Sequence, residues 1–453
     1  MRSAIAAFCV LGLVGCASVV PDDTSFAAGR CQTFFDDNVK GAPTIEIGAI
    51  FQLTKADGSP DTDGNFDAQA MRLAIKELND NRDIGGNRFT LRICDTHADW
   101  STGGGQWTRD LTTWLIDHEH VQAIISDASA DTAQIQAITV PRGVLLMAIS
   151  ATAEDLTNLQ DKGLVWRVAP SDIYQGAVLA YLVGAAVGAD AKVTVLAMKS
   201  PYADGLADAL GKQLTKLTIH TFDIDGKGLQ TAVESAAQDG AKALVVVATV
   251  PLTAQIASAR AALPALASAA FFVADGACDS SLAGQTFAAG VNLLGGQCTR
   301  PGQPATPIYN QFQERFKQEY AKDPALSSYA QHAYDTVYSI VLAHAWALRA
   351  GGPNKVDGMS LAEGLRHLSK GDPHPYKPSE INVMESTLGK GQDINVDGTS
   401  GPLDFNPDTG EAPSGYEGWL LGEHGELKTK TYYSVADNGG GKYTILPVDV
   451  TPP

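Results

Sequence analysis

The stretch VQAIISDASADTAQIQAITVPRGVLLMAIS, residues 121–150, decides how this chain folds. VQAIIS (121–126) is a short apolar run of the kind buried inside a parallel sheet. DTAQIQAITVPR (131–142) spaces its apolar residues as a helix does, and GVLLMAIS (143–150) is a second apolar run. A strand, a helix of more than ten residues and another strand make a βαβ unit, whose two strands lie parallel.

The same rhythm runs outward in both directions. Upstream come strands TIEIGAIFQL (44–53) and RFTLRICD (88–95), with helices DAQAMRLAIKELND (67–80) and QWTRDLTTWLIDH (106–118). Downstream, LVWRVAP (164–170) crosses over and a second series begins. Its helices fall at 174–188, 202–217, 229–240 and 253–263, and its strands at 192–198, 220–224, 243–249 and 269–275. A long helix, 328–351, follows, and the turn-rich tail SGPLDFNPDTGEAP (400–413) is expected to form a short hairpin near the lobe junction. Two such series predict an α/β protein of two Rossmann-like lobes, each a parallel sheet flanked by helices, joined by a hinge. The expected limits are lobe 1 at 44–168 and 299–390, lobe 2 at 169–298, and a return to lobe 2 with a C-terminal tail at 391–453.

Composition narrows the function. The 453 residues are 44% hydrophobic and 19% charged, enough for large cores. A net charge of −18 repels phosphate backbones, so nucleic acid is not an expected partner. The N-terminus MRSAIAAFCVLGLVGC has one arginine, an apolar run too short for a membrane span, and then LVGC at 13–16. It reads as a signal peptide over 1–15 with Cys16 as the lipid attachment site, followed by a tether over 16–43. The chain is therefore expected to be extracytoplasmic (periplasmic) and held to a membrane by that lipid. Four cysteines remain: Cys31, Cys94, Cys278 and Cys298. An oxidising compartment predicts two disulfides, and four cysteines allow three pairings. The short interval between Cys278 and Cys298 favours that pair, leaving Cys31 with Cys94.

In open parallel sheets ligands sit beyond the carboxyl ends of the strands. Polar residues gather at those ends here: Ser126 and Ser129, then Ser150 and Thr152 in ISATAEDLT, then Tyr202, then Asp275. Hydroxyls at a helix N-terminus suit a carboxylate, and an acid suits an ammonium. Each Ser or Thr alone is equally a helix cap.

The order of motifs resembles the type 1 periplasmic binding proteins, in particular the branched-chain amino acid (leucine/isoleucine/valine) binding family of ABC-transporter receptors. The resemblance rests on IEIGAIFQLT, MRLAIKELND, ISATAEDLT, GLVWRVAPSDIYQG, YADGLADAL, AYDTVYSIVLA and TSGPLDFNPDTG, spanning about residues 44–425. It implies that Ser129, Ala151 and Thr152 hold a ligand carboxylate, that Tyr202 packs on the ligand, that Asp275 meets its ammonium, and that Tyr329 lines a variable part of the pocket. It implies an amino acid-like ligand, a permease as partner, no cofactor and no catalysis.

Three departures concern the ligand. Asp127 and Asp131 stand in a loop that is commonly neutral, Val250 stands where an aromatic often closes the pocket, and the loop KADGSPDTDGNFD (55–67) is unusually acidic. Two acidic stretches invite a calcium test. DTDGNFD (61–67) lacks the sixth-position Gly of an EF-hand loop, and DINVDGTSGPLD (393–404) has Ser400 and Pro402 where that loop needs an apolar residue and an exiting helix, so no metal site is expected. Trp107 and Trp114 fit one helix face as core, HEH (118–120) lacks zinc spacing, and no GxSxG or P-loop is present. The rival readings are a sensor of the same fold acting on a signalling partner, and an enzyme on a similar scaffold.

Overall fold

The computed structural model describes residues 29–34, 44–81, 88–99, 104–302, 305–350, 352 and 355–448. Cys16, the signal peptide, Trp100 and most of the expected tether lie outside the described residues. Among the described residues no helix is long and apolar enough to cross a membrane.

Lobe 1 is built on a six-stranded sheet of order β1-β3-β2-β4-β5-β6: Cys31–Phe34, Arg88–Asp95, Thr44–Phe51, Ala123–Ser126, Leu145–Ala148 and Val165–Arg167. All neighbouring strands run parallel except β1, which lies antiparallel on β3. The helices packed around it are α1 (Thr62–Asn81), α2 (Gln106–Asp117) and α3 (Ser129–Arg142). After β6 the chain crosses to lobe 2 through α4 (Asp172–Val187). It then alternates β7 (Val193–Met198), α5 (Pro201–Gln213), β8 (Leu217–Phe222), α6 (Leu229–Asp239), β9 (Ala243–Val247), α7 (Val250–Ala261), β10 (Ala270–Val273), α8 (Ser281–Ala288) and β11 (Gln297–Pro301). α9 (Pro307–Tyr320), α10 (Ala330–Ala347), α11 (Gly358–Leu365) and α12 (Ile381–Gly389) return to lobe 1, beside a small parallel pair, β12 (Pro373–Pro375) and β13 (Asn395–Asp397). The core of lobe 1 therefore joins β2, β3 and α1 to Phe312, Phe316, Tyr334 and Tyr338 from far along the chain.

Two expectations change. Within the segment read as a tether, Cys31–Phe34 is a strand that covers the otherwise open edge of β3, with Cys31 opposite Cys94. Four residues, CQTF, carry no periodic signal that sequence reading could detect. The tail is not a short hairpin at 400–413. That stretch is a turn packed on lobe 1, with Leu403, Phe405 and Ala412 in the lobe 1 core. The return to lobe 2 comes later, as β14 (Tyr416–Leu421), β15 (Leu427–Asp437) and β16 (Tyr443–Val448), three antiparallel strands added beside β11. The lobe 2 sheet thus has eight strands, ordered β16-β15-β14-β11-β10-β9-β7-β8.

Both disulfides favoured by the sequence are formed, Cys31–Cys94 and Cys278–Cys298. The calcium candidate at 393–404 is instead β13 and a turn. Buried Asp335 of α10 accepts hydrogen bonds from the backbone and hydroxyl of both Thr399 (2.8 and 2.9 Å) and Ser400 (2.7 and 2.6 Å). Among the described residues no group of three or more His, Cys, Asp or Glu is placed to hold a metal ion.

Candidate functional site: a cleft between two switch points

Strand order locates the site. In the parallel part of each sheet the first strand lies inside, with its successor on one side and the third strand on the other: β3-β2-β4 in lobe 1 and β8-β7-β9 in lobe 2. Loops leaving such a switch point diverge and open a crevice at the carboxyl ends of the strands. The two crevices face each other and form a cleft of about 180 Å³. It is lined by Ala128, Ser129, Ala130 and Ser150 after β4 and β5, by Met198, Ser200 and Tyr202 after β7, by Thr249, Asp275 and Gly276 after β9 and β10, and by Tyr329 at the start of α10.

The lobe 2 wall is set by helix-capping chemistry. Ser200 caps α5, its Oγ accepting from the Ala203 amide at 3.1 Å, and Pro201 fixes the first helical residue. This places Tyr202 over the cleft. Its hydroxyl donates to Asp275 Oδ1 at 2.5 Å and accepts from the Gly276 amide at 3.2 Å. The other oxygen of Asp275 accepts from Tyr329 at 2.7 Å, a bond that crosses from lobe 2 to lobe 1. Burial raises the Asp275 carboxyl above its usual range, and the tyrosine hydrogen bonds oppose that rise. Behind it lies Asp172, at the first turn of α4, fully buried, with neither carboxylate oxygen hydrogen-bonded. Burial and the neighbouring Asp275 hold the Asp172 carboxyl far above its usual range.

The lobe 1 wall is a loop held from within. Ser129 Oγ accepts from the Ala153 amide at 3.2 Å. Arg167, the last residue of β6, donates to the carbonyls of Ala151 (3.1 Å) and Ala153 (2.8 Å) and pairs with Glu411 from the turn after β13. Ser150 donates to Asp127 Oδ1 at 2.6 Å. Asp127 is pushed up to about 6 by burial, against the Ser150 hydrogen bond. Asp67 of α1, 2% exposed, accepts from Ser327 at 3.0 Å, and Ser327 in turn accepts from the Tyr329 amide at 3.2 Å.

The structure brings together four of the six expected ligand residues, Ser129, Tyr202, Asp275 and Tyr329. Ala151 and Thr152 do not line the cleft. They are 0% and 1% exposed, because Arg167 draws their loop inward. The Thr152 hydroxyl has no hydrogen-bond partner, although it lies near enough to ease the charge on Asp172. Val250, the first residue of α7, is not among the lining residues, and its neighbour Thr249 is. Sequence reading passed over Ser200, Thr249 and Asp172, and met Asp67 only as the end of an acidic loop. Ser200 could have been found as the N-cap before Pro201. Asp67 and Asp172 look like ordinary helix-start acids, and only the fold shows that they are buried.

Comparison with known proteins places this geometry. No curated protein matches the chain in sequence. Solved structures do match in fold. The branched-chain amino acid transporter substrate-binding protein LivJ of Streptococcus pneumoniae, in complex with isoleucine, superposes with a TM-score of 0.65 at 18% identity, covering 85% of this chain and 98% of that one. The leucine-binding protein LivK of Thermotoga maritima gives 0.64 at 20% identity, over 85% and 98%. A solute-binding protein of an ABC transporter from R. palustris, in complex with 4-hydroxybenzoate, gives 0.63 at 14% identity, over 85% and 96%. The family model described as periplasmic binding protein matches residues 44–384, so two lobes, facing switch points and sequence agree: the chain belongs to the periplasmic binding protein family, with the type 1 fold.

Proposed function

We propose that this protein is an extracytoplasmic receptor that captures a small amine-bearing solute, an amino acid or similar zwitterion, between its lobes and delivers it to an ABC permease. The observation that carries the reading is the Tyr202–Asp275–Tyr329 constellation. A buried carboxylate is presented to a cleft of amino-acid size, flanked by one aromatic from each lobe. An ammonium replacing the tyrosine protons at Asp275 would contact both lobes. Ligand contacts to both lobes favour the closed state, and the closed face is what a permease can recognise. In this reading Cys16 carries the lipid that keeps the receptor near its permease, and no step of chemistry is assigned to the cleft.

A thermal-shift screen of the soluble domain against amino acids, amides and small carboxylates tests this reading, because a ligand that binds only the folded state raises the melting temperature. A shift of about 3 kcal/mol in stability is expected at 100 times the dissociation constant. No shift with any amine-bearing solute contradicts the reading. Lipid labelling of the full chain tests the anchor: Cys16→Ser is expected to abolish it, and continued labelling of that variant rejects the assignment.

A further inference from the structure

The cleft contains the means to bind an ammonium twice and a carboxylate poorly. Among the described residues its lining holds no Lys, Arg or His. The two buried arginines near the lobe junction are each engaged elsewhere: Arg167 with Glu411, and Arg300 with Glu417 at 3.0 Å. Acidic groups, by contrast, stand at both walls. On lobe 2, Asp275 is backed by Asp172, which is fully buried with both oxygens unpartnered. On lobe 1, Asp127 accepts a hydrogen bond from Ser150, and Asp67 lies behind Tyr329 through Ser327.

Hydrogen-bond direction sharpens the point. The resemblance to amino acid receptors assigned a ligand carboxylate to the lobe 1 wall. There the Ser150 proton is committed to Asp127, the Ala153 amide is committed to Ser129, and Thr152 is buried away from the cleft. The tyrosine protons point to Asp275. What remains for a carboxylate is the Ser129, Ser200 and Thr249 hydroxyls and the first-turn amides of α3, all neutral and the last flanked by Asp127. A carboxylate placed there would sit beside an acid without a counter-cation, a costly arrangement away from water. An ammonium or guanidinium in the same place would find the free lone pairs of Ser150 and the charge of Asp127.

We propose that the cleft selects a solute of net positive charge without a free carboxylate, an aliphatic diamine or an amino-guanidine, with one nitrogen group at Asp275 and the other at the Asp127–Ser150 wall. This rests on the receptor reading of the same cleft, keeping its amine-bearing solute and replacing the zwitterion with a cation. Acids near Asp127 fit the same preference: burial, then the like charges of Asp279, Asp61 and Asp127, pushes Asp63 up to about 7, against the charge of Arg300.

The test is calorimetric titration with 1,4-diaminobutane, 1,5-diaminopentane and 4-guanidinobutylamine, beside leucine and 4-hydroxybenzoate. At least one of the cations is expected to bind about 10-fold or more tightly than leucine, and 4-hydroxybenzoate not at all. Asp127→Asn keeps the acceptor for Ser150 and removes only the charge. It is expected to weaken the cation by about 10-fold or more and to leave leucine unchanged or improved. Leucine binding more tightly than every cation overturns the inference and leaves the receptor reading standing. Cation binding that is indifferent to Asp127→Asn overturns the two-wall placement. Binding of none of the five solutes rejects the inference, and the broader screen described above then judges the receptor reading by itself.

Discussion

The two walls of the cleft use the same small vocabulary of hydroxyls, acids and helix starts, and use it differently. On the lobe 2 wall the acid itself faces the cleft, and its partners are tyrosine protons that a ligand can displace. On the lobe 1 wall the acid lies one residue back. Its hydrogen bond fixes Ser150, and the loop that follows is drawn inward by Arg167. One wall is ready to exchange partners, and the other is pre-set. A receptor that closes on its ligand gains from this division, because the bond that must change on binding, Tyr329 to Asp275, is also one that spans the lobes. Differential contact with the open and closed states is what shifts such an equilibrium.

The comparison can be broken most strongly at the scaffold. The Cys31–Cys94 bridge closes 63 residues of sequence and ties β1 to lobe 1, whereas Cys278–Cys298 closes 20. In the entropic model, removing the first is expected to cost about 4 kcal/mol and the second about 3. Denaturant melts of Cys31→Ser/Cys94→Ser and Cys278→Ser/Cys298→Ser check this, and equal or reversed losses would mean that strain or residual structure outweighs loop length.

At the exchangeable wall, Asp275→Ala removes the only acid among the described residues that line the cleft. Loss of a charge-assisted hydrogen bond predicts about 10- to 150-fold weaker binding. Tyr329→Phe removes one inter-lobe bond and keeps the ring and the acid. The ligand-free protein is then expected to be more open, read as a larger radius of gyration in small-angle scattering, with a smaller change in affinity than Asp275→Ala gives.

Buried acids give the pre-set lobe a pH signature. Asp131, in the first turn of α3, is pushed up to about 7 by burial and its neighbour Asp127, although Thr108 donates to it at 2.9 Å. The folded chain therefore binds more protons than the unfolded chain between about pH 4 and 7, so this group's effect is to raise stability as pH falls through that window. His332 acts in the opposite sense. It is fully buried, and burial lowers it to about 3, so its effect is to reduce stability as pH falls below about 6.5. Asp131→Asn keeps an acceptor for Thr108. It is expected to raise the melting temperature at pH 8 by about 2 °C or more and to flatten the acid side of the profile. An unchanged profile would mean that Asp131 is hydrated.

The smallest effect is expected at Thr152, which the sequence placed in the ligand cradle. Thr152→Ala deletes a buried hydroxyl with no hydrogen-bond partner, and its effect on affinity is expected to stay within about 3-fold.

Most of the architecture was legible in sequence because buried parallel strands leave plain apolar runs. VQAIIS, GVLLMAIS and ALVVVAT all became central strands, within two or three residues of their expected limits. The short edge strand CQTF and the strands β14–β16, of which β15 and β16 are largely exposed, were not legible, since none has a long apolar run. Helix α5 also stops earlier than its pattern implied, at Gln213, and β8 starts at Leu217 rather than His220. The cleft lining was legible where one residue at a strand end faces it, as with Tyr202 and Asp275. Ala151 and Thr152, expected beside them, fall outside that lining, where a distant residue, Arg167, holds the carbonyls of the loop. Asp172 was invisible for the same reason: a helix-start acid is exposed or buried according to what packs on it.

The measurement closest to the central claim is calorimetric titration of wild type and Asp275→Ala with the tightest-binding solute from the amine and amino acid panel, with the fold of the variant checked by circular dichroism. The cleft described here predicts that Asp275→Ala stays folded and binds about 10- to 150-fold more weakly. A folded Asp275→Ala that binds like wild type would contradict the placement of the ligand between the lobes.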